Sequence, residues 1–417
     1  MKRNKLNIGL FGFGCVGYGL YEVLQKTPTL KTTLKTICVK DKNKTRPIAQ
    51  DFFTYDKNSI LNDPEINVVI ELIDDADAAF EIVSTALRNG KAVVSANKKM
   101  IAEHFDELLN LQKKYNVPLL YEAACCASIP IIRNLEEYYD NDLLESIEGI
   151  VNGSTNYILT KTFSENISYA EALKQAQDIG YAETDPSLDT GGFDAKYKLL
   201  ILIAHSFGVV AKPKDIFNLG IDNIGDLDLN YAREKNLKIK LVAHAYKTQN
   251  GNISCFVMPK FIDKHNKLFT VDDVFNGIMT KTSFADIQFF VGKGAGAYPT
   301  ASAVLSDISA LSYDYRYEYK KLNNNDTLND KEDVLLKVFL RYDSANTFDF
   351  KKYFFLLEET YENTNDAYIV GVINLTNLNE IYTYSLKKAS IILIETINET
   401  VEITEISNEL NRLCEIA

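Results

Sequence analysis

What the chain has little of narrows its reading first. Four histidines in 417 residues, and six cysteines (Cys15, Cys38, Cys125, Cys126, Cys255, Cys414) without a CxxC pair, leave little from which to build a His/Cys zinc site or a disulfide framework. The thiols read as reduced and intracellular. Glycine (20) and proline (9) are too few for a collagenous or low-complexity chain, and 46% hydrophobic with 24% charged residues is the balance of a folded protein. No apolar run reaches the roughly 18 residues that a membrane span requires. Lys2, Arg3 and Lys5 precede an apolar stretch, but five glycines between Asn7 and Leu20 and no small-residue cleavage site argue against a secretory signal. Positive charge is also short: 45 Lys and Arg against 57 Asp and Glu give a net charge of −12, which opposes binding to nucleic acid or an anionic membrane. The expectation is a soluble cytoplasmic protein of two or three domains, at roughly 150 residues per domain.

Short apolar runs then set the organisation. LNIGLFGF (6–13), LKTICVK (34–40), INVVIELI (66–73) and KAVVSA (91–96) read as strands, with helices predicted at 15–26, 74–90 and 102–115 and a further strand at 117–124. Strand–helix alternation implies a parallel sheet, because a helix-length crossover returns the chain in the same direction. Residues 1–130 are therefore expected to form one α/β domain. Over 131–291, strands such as 146–153 and 252–260 mix with helices at 168–180 and 192–207, which predicts an α+β domain with a mostly antiparallel sheet. Tyr315 to Glu332, rich in Lys, Asn and Asp, reads as a linker. Beyond it, strands at 333–342, 367–376 and 390–397 and a helix at 351–361 predict a small α/β unit spanning 333–417.

Three motifs carry chemistry. GFGCVG (Gly12–Gly17) lies between a strand and a helix: Gly12 permits the turn, Gly14 lets a pyrophosphate approach the backbone, and Gly17 lets helix and strand pack closely. Asp41 follows the second strand, where an acid reads a ribose 2′-hydroxyl, but Lys40, Lys42, Lys44 and Arg46 surround it and suit a 2′-phosphate, so NAD and NADP both stay open. SANKK (Ser95–Lys99) places Lys98 at the carboxyl end of the fourth strand, the ligand-binding end of a parallel sheet. AQDIGYAETDPSLDTGGFDAKYK (Ala176–Lys198) gathers Glu183, Asp185, Asp189, Asp194 and Lys198, and a helix starting near Gly192 puts Asp194 and Lys198 on one face. The acids lack the alternation of a calcium loop. Carboxylates beside a lysine suit the task of holding an amino-acid ammonium while the lysine exchanges a proton with a hydroxyl or carbonyl.

These segments, with YEAACCASIPII (121–132), VNGSTNYIL (151–159) and GKGAGAYPTASAVLSD (292–307), resemble the homoserine dehydrogenases over the chain up to about residue 312. The resemblance implies a Rossmann-type doubly wound parallel sheet joined by residues 292–315, a central catalytic and dimerisation domain, and a C-terminal unit like an ACT regulatory domain only in outline. It implies NAD- or NADP-dependent interconversion of L-homoserine and L-aspartate 4-semialdehyde, a step toward threonine, methionine and isoleucine. Lys198 would exchange the proton at the substrate oxygen, its pKa lowered by burial and by Lys98. Glu183 and Asp194 would bind homoserine, Asp189 would support the site, and Lys98 would touch cofactor and substrate. Gly12, Phe13, Gly14, Val16, Gly17, Ser95, Gly180 and Gly296 would lie against the dinucleotide. Backbone carbonyls of Glu122, Cys125, Ala127 and Ile129 would coordinate a monovalent cation such as sodium. A homodimer or homotetramer is implied, and threonine is an uncertain effector.

The chain departs from the family pattern at three places. Cys125-Cys126-Ala127-Ser128 stands where the family usually has a glycine-rich run, Asp74-Asp75 where a glycine pair often follows the third strand, and Thr190 where an aliphatic residue is usual. The vicinal cysteines read as buried thiols more readily than as a redox pair. The C-terminal unit has no Asp-x-Pro-Gly-like turn after its first strand. A nicotinamide dehydrogenase for another small amino acid, and a catalytically silent nucleotide sensor, remain as alternatives.

Overall fold

Apolar residues dominate LNIGLF, and in the computed structural model they form a strand, β1 (Leu6–Phe11), buried along nearly its whole length, as a central strand covered on both faces must be. The structure describes residues 4–141, 143–323, 326–384 and 388–397; Cys414 and the part of the expected C-terminal unit beyond 397 lie outside them. The chain divides into two units, the first comprising Met1–Leu143, Leu200–Pro213 and Phe290–Asn324, the second Leu144–Leu199, Lys214–Phe289 and Asn325–Ala417.

In the first unit, β2 (Thr32–Cys38), β3 (Phe53–Thr54), β4 (Val68–Glu71), β5 (Ala92–Ser95) and β6 (Leu119–Leu120) join β1 in a parallel sheet of order β3-β2-β1-β4-β5-β6. This is the expected doubly wound sheet. The order reverses between β1 and β4, which opens a crevice at their carboxyl ends. Asp75, a departure in the sequence, is the N-cap of the helix Ala76–Arg88: its carboxylate accepts the Ala78 N–H at 2.9 Å, which holds it below the usual carboxylate range. The single helix predicted at 102–115 is two, Lys98–Glu103 and Phe105–Tyr115, because Asn97 caps the first three residues before Met100 and His104 leaves helical geometry.

Helix Ala297–Leu311 lies in this same unit, close to the helix Cys15–Gln25: a Cβ on Gly19 would come within 3.0 Å of the Ala297 carbonyl. The stretch expected to be a linker begins deep inside, since Tyr317 and Tyr319 are buried against Tyr121 and His205. His205 Nδ1 lies 2.5 Å from Glu136 and its Nε2 2.8 Å from the Tyr121 hydroxyl, so the polar tips of this aromatic cluster are satisfied by one another.

The second unit is a mixed, mostly antiparallel sheet. It contains β7 (Leu144–Ile150), β8 (Phe217–Asn218), β9 (Lys238–Lys247), β10 (Ile253–Ile262), β11 (Phe275–Thr282), the first half of β12 (Asp286–Lys293), β13 (Leu335–Asp343), β14 (Leu356–Glu362), β15 (Asp366–Asn374) and β16 (Ser390–Ile397). Among the described residues the order is β12-β11-β7-β9-β10-β16-β13-β15-β14, with β8 on β10. The last four strands thus share one sheet with the central ones, through the pairing of Lys260 with Leu393. Phe256 and Met258 of β10 pack with Leu336, Leu340, Ile391 and Leu393 in one buried cluster. The helix predicted at 351–361 is instead the strand β14 behind a short 3-10 turn, Lys351–Tyr353. Its partner β15, almost wholly buried and apolar, offers a ladder that outweighs the local helical pattern.

Candidate active site

The crevice of the first unit is built around Gly12. Its φ of +91° lies in the left-handed region, and a Cβ there would sit 2.4 Å from the Leu72 carbonyl oxygen, so no other residue fits. A Cβ on Gly17 would meet the Gly12 carbonyl at 2.4 Å, whereas Gly14 faces open space. Gly14 is the N-cap of the helix Cys15–Gln25, which has no side-chain cap and no acid in its first turn. Its leading N–H groups and dipole are left for an anion. Val16 is half-buried in that first turn. Phe13 is buried, edge-on to Phe53 at 5.2 Å.

Gly12, Phe13 and Gly14 form one side of a cavity of about 630 Å³ whose other walls include Lys40, Asp41, Lys44, Arg46, Ile73 and Glu81. The Asp41 carboxylate accepts the Asn43 N–H at 2.8 Å. Arg46 ties the loop by donating to the Asp41 and Lys44 carbonyls at 2.7 and 2.8 Å, lies 5.1 Å over the Phe53 ring, and keeps a buried Nε without a partner.

At the carboxyl ends of β4 and β5, Ser95 is fully buried and donates to Glu71 at 2.5 Å, while Glu71 also accepts the Ile73 N–H at 2.7 Å. Burial pushes the Glu71 carboxyl up to about 7. The Ser95 hydroxyl is therefore spent inside the sheet and orders the Asn97 cap that starts the Lys98 helix. Lys98, half-buried, is the first residue of that helix.

The 122–130 loop follows β6. Cys126 and Ala127 take φ of +55° and +37°, the region where the family's usual glycines are at ease, at a cost of about 1 kcal/mol or more each. Cys125 and Cys126 are buried and not joined in a disulfide. Glu122 accepts the Ile132 and Arg133 N–H groups, both at 2.9 Å, and its carboxyl is raised to about 8 by burial and by Asp307. Of the carbonyls in question, that of Glu122 accepts the Cys125 N–H and that of Ile129 the Ile131 N–H. Each keeps a second lone pair, and neutral backbone oxygens suit a hard monovalent cation. Gly296, at φ +119°, begins the helix Ala297–Leu311.

The second unit holds the acidic cluster. Helix Phe193–Phe207 starts after Gly192 (φ +79°), so Asp194 and Lys198 share a face as the spacing predicts, with Lys198 Nζ donating to Asp194 at 2.7 Å. Lys198 also donates to the Val151 carbonyl at 2.7 Å. Both side chains are buried, at 7% and 6% exposure, so this pair is screened far less than a surface ion pair. Asn152, absent from the sequence-based assignment, organises the cluster: its Nδ2 donates to Asp189 at 2.6 Å and to Asp194 at 2.8 Å, while its Oδ1 caps the helix Gly153–Ser164 through Thr155. An Asn before a Gly-Ser-Thr helix start was a visible N-cap signal.

Glu183 lies apart from this cluster in exposure, on the surface, with its carbonyl accepting from Gln177 at 3.0 Å. Thr190 is buried, its hydroxyl donating to the Pro186 carbonyl at 3.1 Å, a partner that an aliphatic residue would not need. Gly180, at φ +77°, ends the helical segment before the cluster and faces open space.

A doubly wound sheet with an uncapped glycine turn at its switch point, in a chain with a buried lysine–aspartate pair, defines a nicotinamide-dependent oxidoreductase. Residues 12–122 match the family model described as "Homoserine dehydrogenase, NAD binding domain", and residues 130–309 the model "Homoserine dehydrogenase". A homoserine dehydrogenase of Synechocystis sp. is 37% identical over 317 residues, covering 73% of this chain and 72% of that protein. The chain belongs to the homoserine dehydrogenase family. The crystal structure of a homoserine dehydrogenase from Thiobacillus denitrificans aligns with a TM-score of 0.83 at 28% identity, covering 94% of this chain and 98% of that one. A hyperthermophilic archaeal homoserine dehydrogenase in complex with NADPH aligns at TM-score 0.65 and 29% identity over 75% of this chain and 99% of its own. No helix among the described residues is long and apolar enough to cross a membrane.

Proposed function

We propose that the chain interconverts L-homoserine and L-aspartate 4-semialdehyde with NADP(H), Lys198 exchanging the proton at the substrate's terminal oxygen. The observation that carries this reading is the buried cluster in which Asn152 holds Asp189 and Asp194 while Asp194 and the Val151 carbonyl hold Lys198. A bound nicotinamide supplies the hydride acceptor. In homoserine oxidation Lys198 takes the hydroxyl proton as the C–H bond yields its hydride; in reduction the ammonium returns it to the carbonyl oxygen. Asp194 orients the lysine and Asp189 supports it through Asn152. Glu183, exposed, serves as the substrate's ammonium partner, and Lys98 contacts cofactor and substrate. Gly12, Phe13, Gly14, Val16, Gly17, Gly180 and Gly296 line the dinucleotide, with Ser95 acting through Glu71.

NADP is favoured over NAD by Lys40, Lys44 and Arg46 on the cavity wall and by the unpartnered Arg46 Nε, while the Asp41 carboxylate is already engaged. The carbonyls of Glu122, Cys125, Ala127 and Ile129 would hold a sodium ion, to be tested by melting temperature as well as rate in sodium and lithium salts. The working form is a cytoplasmic homodimer or homotetramer in amino-acid biosynthesis, composed of a cofactor domain (1–130 with 292–315), a catalytic domain (131–291) and a C-terminal unit from 333. One assay tests the whole reading: homoserine-dependent nicotinamide absorbance, followed with NAD and NADP side by side and with added threonine. Cofactor binding without homoserine-dependent turnover would overturn it.

A further inference from the structure

The Val151 carbonyl that receives Lys198 has a second donor. Asn276, at the start of β11 and fully buried, donates its Nδ2 to that same oxygen at 3.1 Å. The Nδ2 orientation is fixed by the chemistry: a flipped amide would set its oxygen against the Val151 carbonyl. The Asn276 Oδ1 is then buried with no hydrogen-bond partner. An unpaired buried acceptor is costly, and one beside a carbonyl shared with a buried lysine is difficult to explain by packing alone. The register makes the contact possible, since β11 runs antiparallel to β7 with Gly277 opposite Ile150, which places Asn276 at the residue that follows β7.

We propose that Asn276 is a positioning residue for Lys198, fixing the Val151 carbonyl as its anchor and sharing that oxygen so that the lysine releases its proton more readily. A carbonyl already accepting one N–H is a weaker acceptor for the ammonium. Removing the Asn276 donor leaves the oxygen wholly to Lys198 and favours the charged form, and a carboxylate in its place favours that form further. Homoserine oxidation needs the neutral amine as base, so activity rises with pH as the lysine loses its proton. Holding the proton more tightly moves that rise to higher pH.

This inference rests on Lys198 being the proton acceptor, and the experiment separates the two. The pH dependence of kcat for homoserine oxidation is measured for the full-length protein and for Asn276→Asp, Asn276→Leu and Lys198→Ala, each with its melting temperature and cofactor affinity. Expected are a kcat lowered about tenfold in Asn276→Leu, homoserine KM within about twofold of wild type, and an alkaline shift of the pH profile that is larger in Asn276→Asp. Asn276→Leu is close in size and keeps the test open if the aspartate variant does not fold. A folded Asn276→Leu with an unmoved pH profile, whatever its rate, overturns the positioning role while an inactive Lys198→Ala leaves the Lys198 mechanism standing. An active Lys198→Ala removes both.

Discussion

The crevice of the first unit is shaped by side chains that are missing, whereas the polar cluster of the second is made of side chains that hold one another. Gly12 and Gly17 work because a Cβ would collide with backbone, at 2.4 Å in each case. Asn152, Asp194 and Lys198 work because each supplies a donor or acceptor to the next. The two regions should therefore fail in opposite ways: the first when an atom is added, the second when one is removed. The first offers backbone N–H groups that any sequence could present, so its shape is set sterically. The second is built from the donors and acceptors of named side chains, so its arrangement is set chemically.

The largest expected effect is in the second region. Lys198→Ala should lower kcat by about 10²–10⁴-fold, the usual worth of a general acid/base, with cofactor affinity nearly unchanged. Steady-state kinetics beside calorimetric cofactor titration decide it, and a parallel loss of cofactor binding would erase the contrast between the regions. Next comes Gly12→Ala, which forces a residue at φ +91° and a contact with the Leu72 carbonyl. It should cost about 2–3 kcal/mol, read as weaker cofactor binding and a lower melting temperature. Unchanged binding in this variant would mean that the turn relaxes and that the glycine is not needed for its shape.

How much of each region could be read in advance follows from the same contrast. A glycine turn between a strand and a helix is a local pattern, so the sheet, the crevice and the helix start after Gly192 were all legible. The i,i+4 placement of Asp194 and Lys198 was legible for the same reason. The partners of Asn152 and Asn276 were not, because they lie 37, 42 and 125 residues away and only the tertiary fold brings them close. The strand at 356–362 was misread as helix because its state is set by pairing with β15 and not by its own spacing. Asp75, a departure from the glycine that often follows the third strand, proves to be a helix cap. Burial hid the linker stretch in the opposite sense: Tyr315–Tyr319 has polar neighbours in sequence and an aromatic core in space.

A smaller effect concerns Glu71, a carboxylate buried at the carboxyl end of β4. Its carboxyl is raised to about 7 from the ordinary 4.5, so the folded protein binds a proton that the unfolded chain releases. That contribution is complete below the ordinary carboxylate pKa and is lost as pH rises through about 7. Unfolding free energy should accordingly fall by about 1–2 kcal/mol between roughly pH 5 and 8 on account of this group. Glu71→Gln, which can still accept from Ile73 and pair with Ser95, should flatten that part of the curve in urea titrations at the two pH values. An unchanged slope would place the titrating group elsewhere.

The smallest effect tests whether the first region is purely steric. Arg46 joins the loop carbonyls of Asp41 and Lys44 and also carries the unpartnered Nε at the cavity wall. If it reads a 2′-phosphate, Arg46→Ala should raise the KM for NADP about fivefold and leave that for NAD within about twofold, since one exposed charge–charge contact is worth about 1 kcal/mol. If it only pins the loop, both KM values should rise together, because loop and ribose are common to the two cofactors. A rise for both would return Arg46 to a loop-pinning role, whereas a selective rise makes Arg46 a side chain by which the first unit distinguishes one cofactor from the other.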